Sequence, residues 1–388
     1  MEPVDRLASA GLVLPDYGGK ELGAVLPAAL AAVGAADVVP GRDAERDRVA
    51  LGLPEARHVV VVILDGLGHH QLESRRGHAP FLRSIVSDVV TAGFPTTTAA
   101  SLALFGTGQP AGQTGMTGYS ARNPRTGGLA NLISWEGADP PEEWQMMPSL
   151  LEEADRGGVI VTTLGKRKFA GSGLTHAVLR GGLFVGAERL ADRIDVALAA
   201  TKKPGVSYCY WGEIDAAGHR FGWQSEEWVA ALEDADREFK RLAASLGKDT
   251  LMVVTADHGM IDVTGAPRWN VGAEPELARD VELVAGEPRA LHLHVSEGRG
   301  PAVAERWQTI LGDQGVVFTQ ADAEAAGIFG PISDSARPRI GDVVVAMAGR
   351  STVVDSRTQS SQSMALIGVH GSLTPEELMV PLLVAQGS

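Results

Sequence analysis

At 388 residues with 44% hydrophobic content, the chain is long enough for a sizeable core and exceeds the usual single-domain size, which predicts one large domain with a smaller insertion. A formal charge of −14 excludes a general affinity for nucleic-acid polymers or membrane surfaces, both polyanions that need a basic footprint. The single cysteine, Cys209, excludes a disulfide framework and a thiolate metal site; its place in the apolar run VSYCYW predicts burial.

In chain order, the N-terminal MEPVDRLASAGLVLP lacks a charged segment followed by an apolar one, and no apolar stretch approaches the roughly 20 residues of a membrane span. A cytoplasmic location is expected. HVVVVILDG (58–66), GVIVTTLG (158–165), GVSYCYWGEID (205–215) and TLMVVTADHG (250–259) are apolar runs ending in Gly, Asp or both, and read as parallel strands buried on both faces. AERLADRIDVALAATKK and SEEWVAALEDADREFKRLAASLG carry apolar residues at helical spacing. This alternation predicts an α/β fold, a mostly parallel sheet with helices on both faces. From 266 to 350 the rhythm changes to that of a small α+β unit, read as an inserted cap over the site. The core is then 1–265, with a helical lead-in, and 351–388, the return segment. SRTQSSQS (356–363) is expected to be a mobile surface loop.

Ligands of open α/β sheets bind beyond the carboxyl ends of the strands, where Asp65, Asp215, Asp257 and His258 fall. His219 follows Asp215 by four residues, and His370 lies in a late Gly-rich turn. Taken singly, Asp65 reads as a helix cap or turn residue, Asp257–His258 as a surface turn, and Asp215–His219 as a polar pair on one helical turn. Together they are carboxylates and imidazoles suited to divalent ions, with imidazole shifting preference toward zinc or manganese. Two ions roughly 3.5 to 4 Å apart grip the attacking and leaving oxygens of a displacement at phosphorus. FPTTT (94–98) offers hydroxyls to the same edge, and a threonine becomes a nucleophile once a metal lowers its pKa. Solvated or packed imidazoles are expected for His69, His70, His78, His292 and His294. GTGQPAGQTG lacks the Lys-Ser/Thr ending of a P-loop.

The segments VVVVILDGLG, FPTTTAASLALFGTGQPAGQTG, WGEIDAAGHRFG, TADHGM and GVHGS resemble, in order and spacing from about 57 to 372, the motifs of the alkaline phosphatase superfamily in its nucleotide pyrophosphatase and phosphodiesterase branch. The resemblance implies an alkaline-phosphatase-like sheet and two divalent ions, Mn2+ or Zn2+. Asp65, Thr98, Asp257 and His258 would hold one ion, with Thr98 as nucleophile; Asp215, His219 and His370 would hold the other. Spacing and the FPTTTA wording are similar to actinobacterial cyclic di-AMP phosphodiesterases. This implies hydrolysis of a small nucleotide, cyclic di-AMP, to AMP through pApA by a phospho-threonine intermediate, with no polymer, no membrane and a monomeric enzyme.

Resemblance to phosphonoacetate hydrolases brings in Lys166 and Lys168 of GKRK as contacts to an anionic substrate end, weighed against a solvated loop. Where relatives carry an Asn on the phosphoryl oxygen, this chain has Tyr119 nearby, and Ser101 follows Thr98 by three residues; both are candidate substrate contacts. A phosphonate hydrolase, phosphomonoesterase or other nucleotide pyrophosphatase is the alternative on the same scaffold. A sulfatase is the weakest option, because that branch needs a cysteine or serine in a modified nucleophile motif, and Cys209 lies elsewhere. A non-catalytic nucleotide sensor is the alternative of another class.

Overall fold

The computed structural model describes residues 2–387. Its main strands in chain order are β1 (His58–Leu64), β2 (Val86–Thr91), β3 (Val161–Gly165), β4 (Leu183–Gly186), β5 (Gly205–Trp211), β6 (Thr250–Thr255), β7 (Val281–Glu287), β8 (Ala290–Val295), β9 (Gly315–Thr319), β10 (Val343–Met347) and β11 (Met379–Gln386). Seven form the central sheet in the order β2-β11-β6-β1-β5-β3-β4. β1, β3, β4, β5 and β6 run parallel, and β11 runs antiparallel to both its neighbours, β2 and β6.

The apolar runs form strands because β-branched residues pack on both faces at once. Every residue of β1 and β6 is buried, as the HVVVVIL and TLMVVT patterns demand. The amphipathic stretches form helices Leu190–Ala200 and Glu226–Ala244, the latter capped by Ser225, whose hydroxyl accepts from the Trp228 amide. Two strands are shorter than their apolar runs. The run from 205 to 215 is strand only to Trp211, and Glu213–Phe221 is a helix that carries Asp215 in its first turn and His219 in its last. The run from 158 starts its strand at Val161, because Gly157–Gly158 turns the chain out of the preceding helix.

β7, β8, β9 and β10 make a separate antiparallel sheet in the order β7-β8-β10-β9, backed by the helix Gly300–Leu311. Val284, Leu293, Trp307, Val317 and Val345 belong to a hydrophobic cluster distinct from the main core. A short parallel ladder of Arg268–Asn270 with Thr352–Val354 joins the two ends of this unit. A buried fork fastens it to the return segment: Arg289 Nε and Nη2 donate to Glu377 at 2.7 and 2.8 Å. Within 356–363 the chain turns into a short helix, Ser361–Met364, rather than staying a loop throughout. Among the described residues no helix is long and apolar enough to cross a membrane.

Candidate active site

The parallel strands deliver their first post-strand residues to one edge. Asp65 follows β1, Asp257 and His258 follow β6, and the helix after β5 brings Asp215 and His219. Gly66 has φ +75°, and a Cβ there would lie 2.9 Å from the Asp215 Cα, so only glycine lets these two segments meet. Thr98 is the first residue of the buried helix Thr98–Thr107. A helix N-terminus presents free amides and the positive end of its dipole, which favours a phosphate.

The three imidazoles are held alike. Nδ1 of His258 lies 2.9 Å from the Gly259 carbonyl, that of His219 2.7 Å from Gly368 O, and that of His370 2.7 Å from Thr96 O. A carbonyl can only accept, so each Nδ1 carries a proton and it is Nε2 that each ring turns to the cluster. Thr98 Oγ1 is 3.3 Å and Asp65 Oδ1 3.4 Å from His258 Nε2. His219 Nε2 is 3.3 Å from Asp215 Oδ2, and His370 Nε2 is 3.9 Å from Asp215 Oδ1. The His258 and His370 rings stack at 3.7 Å. Thr96 laces this edge to the return segment, its hydroxyl donating to Ser372 O and accepting from Gly371 N.

The carboxylates are the test of whether cations fit. Asp65 Oδ1, Asp215 Oδ1 and Asp257 Oδ2 are buried and have no hydrogen-bond partner. Orphaned anionic oxygens this close together are costly unless a cation neutralises them. Burial first, then the charges of Asp257 and Asp215, pushes the Asp65 carboxyl well above its usual range. Burial also raises Asp215, but His219 outweighs it and holds that carboxyl below the ordinary range. His219 itself is depressed by burial yet driven up to about 9 by Asp215, while burial and the neighbouring imidazoles push His370 well down. Two sets of three have ligand atoms mutually within 4.8 Å: Asp215, His219 and His370, and Asp65, Asp215 and His258. Asp215 belongs to both. Asp257 stands beside the second set, its Oδ2 3.7 Å from His258 Nε2, while its Oδ1 accepts from the Gly66 and His258 amides.

The sequence model of the family described as type I phosphodiesterase/nucleotide pyrophosphatase matches residues 59–373, most of the chain and all of these residues. The chain belongs to this family. The family is one of metal-dependent phosphoric diester hydrolases. The fold is similar to that of murine ectonucleotide pyrophosphatase/phosphodiesterase 5, with 17% identity, a TM-score of 0.66, and 84% of this chain and 87% of that one covered. It is also similar to phosphonoacetate hydrolase from Sinorhizobium meliloti 1021 in complex with phosphonoformate, with 20% identity, a TM-score of 0.63, and 86% and 91% covered. A phosphopentomutase of Desulfitobacterium hafniense (strain DSM 10664 / DCB-2) is 32% identical over 140 residues, 35% of this chain; the chain spans about a third of the length of the curated relatives it matches.

Around this phosphodiesterase-family site, the structure brings Thr98 together with the six acidic and imidazole residues and leaves the other candidates at its rim. Lys166 pairs with Glu213, two residues before Asp215, and the Lys168 ammonium lies 5.3 Å from the centre of the Phe169 ring. Tyr119 is exposed. Ser101 is buried one helical turn beyond Thr98, its Oγ without a partner. A cavity of about 90 Å3 beside Thr98 is walled by Phe169, Phe184, Leu102, Leu174 and Tyr210. Two residues were missed in the sequence. The Tyr210 hydroxyl donates to Asp65 Oδ2, and a signal existed, since Tyr210 is the penultimate residue of β5, next to the ligand edge. Glu287, at the end of β7, has no such signal, because only the packing of the second sheet against the His370 segment brings it there.

Proposed function

We propose that the chain is a nucleotide phosphodiesterase that hydrolyses cyclic di-AMP to AMP through linear pApA, with Thr98 as the nucleophile and a phospho-threonine intermediate. The observation that carries this reading is Thr98 itself: a hydroxyl at a buried helix N-terminus, 3.3 Å from His258 Nε2, within a cluster of carboxylates whose inner oxygens lack partners. Asp65, Thr98, Asp257 and His258 would hold one divalent ion, and Asp215, His219 and His370 a second; the nitrogen and oxygen donors suit Mn2+ or Zn2+. Such ions, when bound, polarise the phosphoryl group and lower the pKa of a hydroxyl they touch.

Thr98 Oγ attacks phosphorus, the bond to the leaving oxygen breaks, and water then cleaves the phospho-threonine. The free amides of the first helical turn hold the phosphoryl oxygens during both halves. Tyr210 and the three main-chain carbonyls fix the orientation of Asp65 and of the imidazoles. The aromatic-walled cavity beside Thr98 suits a nucleobase, and a related structure is an inactive threonine-to-alanine variant of the murine phosphodiesterase in complex with AMP. Cytoplasmic, monomeric action on a small nucleotide goes with this reading.

A second reading, a phosphonate hydrolase, is favoured by Lys166 at the site rim and by the phosphonoacetate hydrolase fold likeness. One experiment separates them. Metal-stripped protein is reloaded with manganese or zinc, incubated with cyclic di-AMP, cyclic di-GMP, pApA or phosphonoacetate, and the products are separated by chromatography. Conversion of cyclic di-AMP through pApA to AMP is expected; turnover of phosphonoacetate alone refutes the nucleotide reading.

A further inference from the structure

A recess of about 870 Å3 lies between cap and core and runs up to the imidazoles of His219 and His370. The cavity beside Thr98 shares no lining residue with it. In an in-line displacement by Thr98 Oγ the departing oxygen leaves on the side away from Thr98. The recess is bordered by His219 and His370 and not by Thr98.

Its chemistry is unsuited to a polyphosphate. None of its lining residues is lysine or arginine, and Arg357 in the same segment is held in a fork by Asp355. A pyrophosphate group brings several negative charges that a wall without cations leaves unpaired. Asn131, Gln359 and Gln362 instead offer amide donors and acceptors. Bordering the recess beside the His370 segment stands Glu287, 6% exposed, its carboxyl facing the Thr97 hydroxyl and the Tyr119 amide. It presses against the His370 segment so closely that a Cβ on Gly371, at φ +136°, would sit 2.6 Å from Glu287 Cγ. A sugar hydroxyl donates to an ionised carboxylate and accepts from a protonated one, so it satisfies Glu287 in either state.

We propose that this recess is the leaving-group subsite and that it selects nucleotide diesters whose leaving group is a nucleoside-type alcohol over nucleoside triphosphates, whose leaving group is pyrophosphate, with Glu287 contacting the sugar hydroxyl. The proposal rests on the diesterase reading above. Thr98 gives up its hydroxyl proton to water, Oγ–P forms as the P–O bond to the alcohol breaks, and the departing alcoholate takes a proton back from water.

The test uses the full chain loaded with manganese and three substrates: adenylyl-(3′→5′)-adenosine, ATP, and thymidine 5′-(4-nitrophenyl phosphate) as a reporter of diesterase chemistry. The dinucleotide is expected to exceed ATP in kcat/KM by about tenfold or more at low salt. Glu136→Lys with Thr358→Lys, on the recess wall and outside the ligand set and the amide donors, is expected to raise ATP hydrolysis severalfold at low salt, less at high salt, and to leave the reporter unchanged. Without turnover, calorimetry on Thr98→Ala should show the same order of affinities. Equal or better use of ATP, or an ATP-to-dinucleotide ratio unmoved by the added lysines, overturns the subsite while reporter cleavage upholds the diesterase. Failure to cleave the reporter overturns both.

Discussion

His292 is fully buried on β8, its Nε2 2.8 Å from the Thr117 carbonyl and its Nδ1 accepting the Gly341 amide at 3.1 Å. One nitrogen must donate and the other accept, so the ring is a neutral tautomer, and protonation would turn Nδ1 against the Gly341 N–H. Burial pulls its pKa from 6.5 down to about 4, with the Thr117 carbonyl opposing. A base whose folded pKa is depressed takes up its proton first in the unfolded chain. The stability it contributes is complete above pH 6.5 and is lost as the pH falls toward 4. The linkage integral gives a loss of about 2 kcal/mol at pH 5 and about 3 kcal/mol at pH 4 relative to pH 7. Urea denaturation of wild type and His292→Gln from pH 7 to 4 measures this, because groups other than His292 titrate alike in both. The wild-type curve should fall more steeply by those amounts. Parallel curves would refute the buried neutral ring.

Thr98→Ala should abolish turnover with bound metal unchanged by mass spectrometry, whereas Asp257→Asn should lose both, since its Oδ1 is committed to two amides and Oδ2 faces inward; an active Thr98→Ala refutes the nucleophile. Tyr210→Phe removes the hydroxyl on Asp65 and should weaken metal affinity about 10- to 100-fold in calorimetric titration. Unchanged affinity would mean that Asp65 is oriented without it. Arg289→Met leaves Glu377 charged and buried, with only the Ser372 amide and Thr374 hydroxyl as donors, and should cost about 3 to 5 kcal/mol in chemical denaturation. A cost below about 1 kcal/mol would show that those two donors suffice.

The core strands were legible because burial on both faces writes a continuous apolar run, as in HVVVVIL. Those left unread have another character. β2, VSDVVT, has its valines interrupted by the exposed Ser87 and Asp88, and β4 is only four residues long and half exposed. The strand reading of 205–215 overran because GEID, after an apolar strand, gives no hint of periodicity in so short a stretch. The ligand types were legible as a set, since carboxylates and imidazoles at strand ends point to one edge. Which carboxylate faces which imidazole was not, because the shared position of Asp215 depends on how closely Gly66 lets two segments approach. Glu287 is a side chain whose place is set by tertiary packing alone.

β2 leads the chain into Thr98, yet its ladder to the central sheet runs through β11, whose first residue lies more than 280 residues further along the chain. A nascent polypeptide that has not yet made β11 has nothing for β2 to pair with in the central sheet, so the segment leading to Thr98 gains its place there only after a long stretch of chain has followed it.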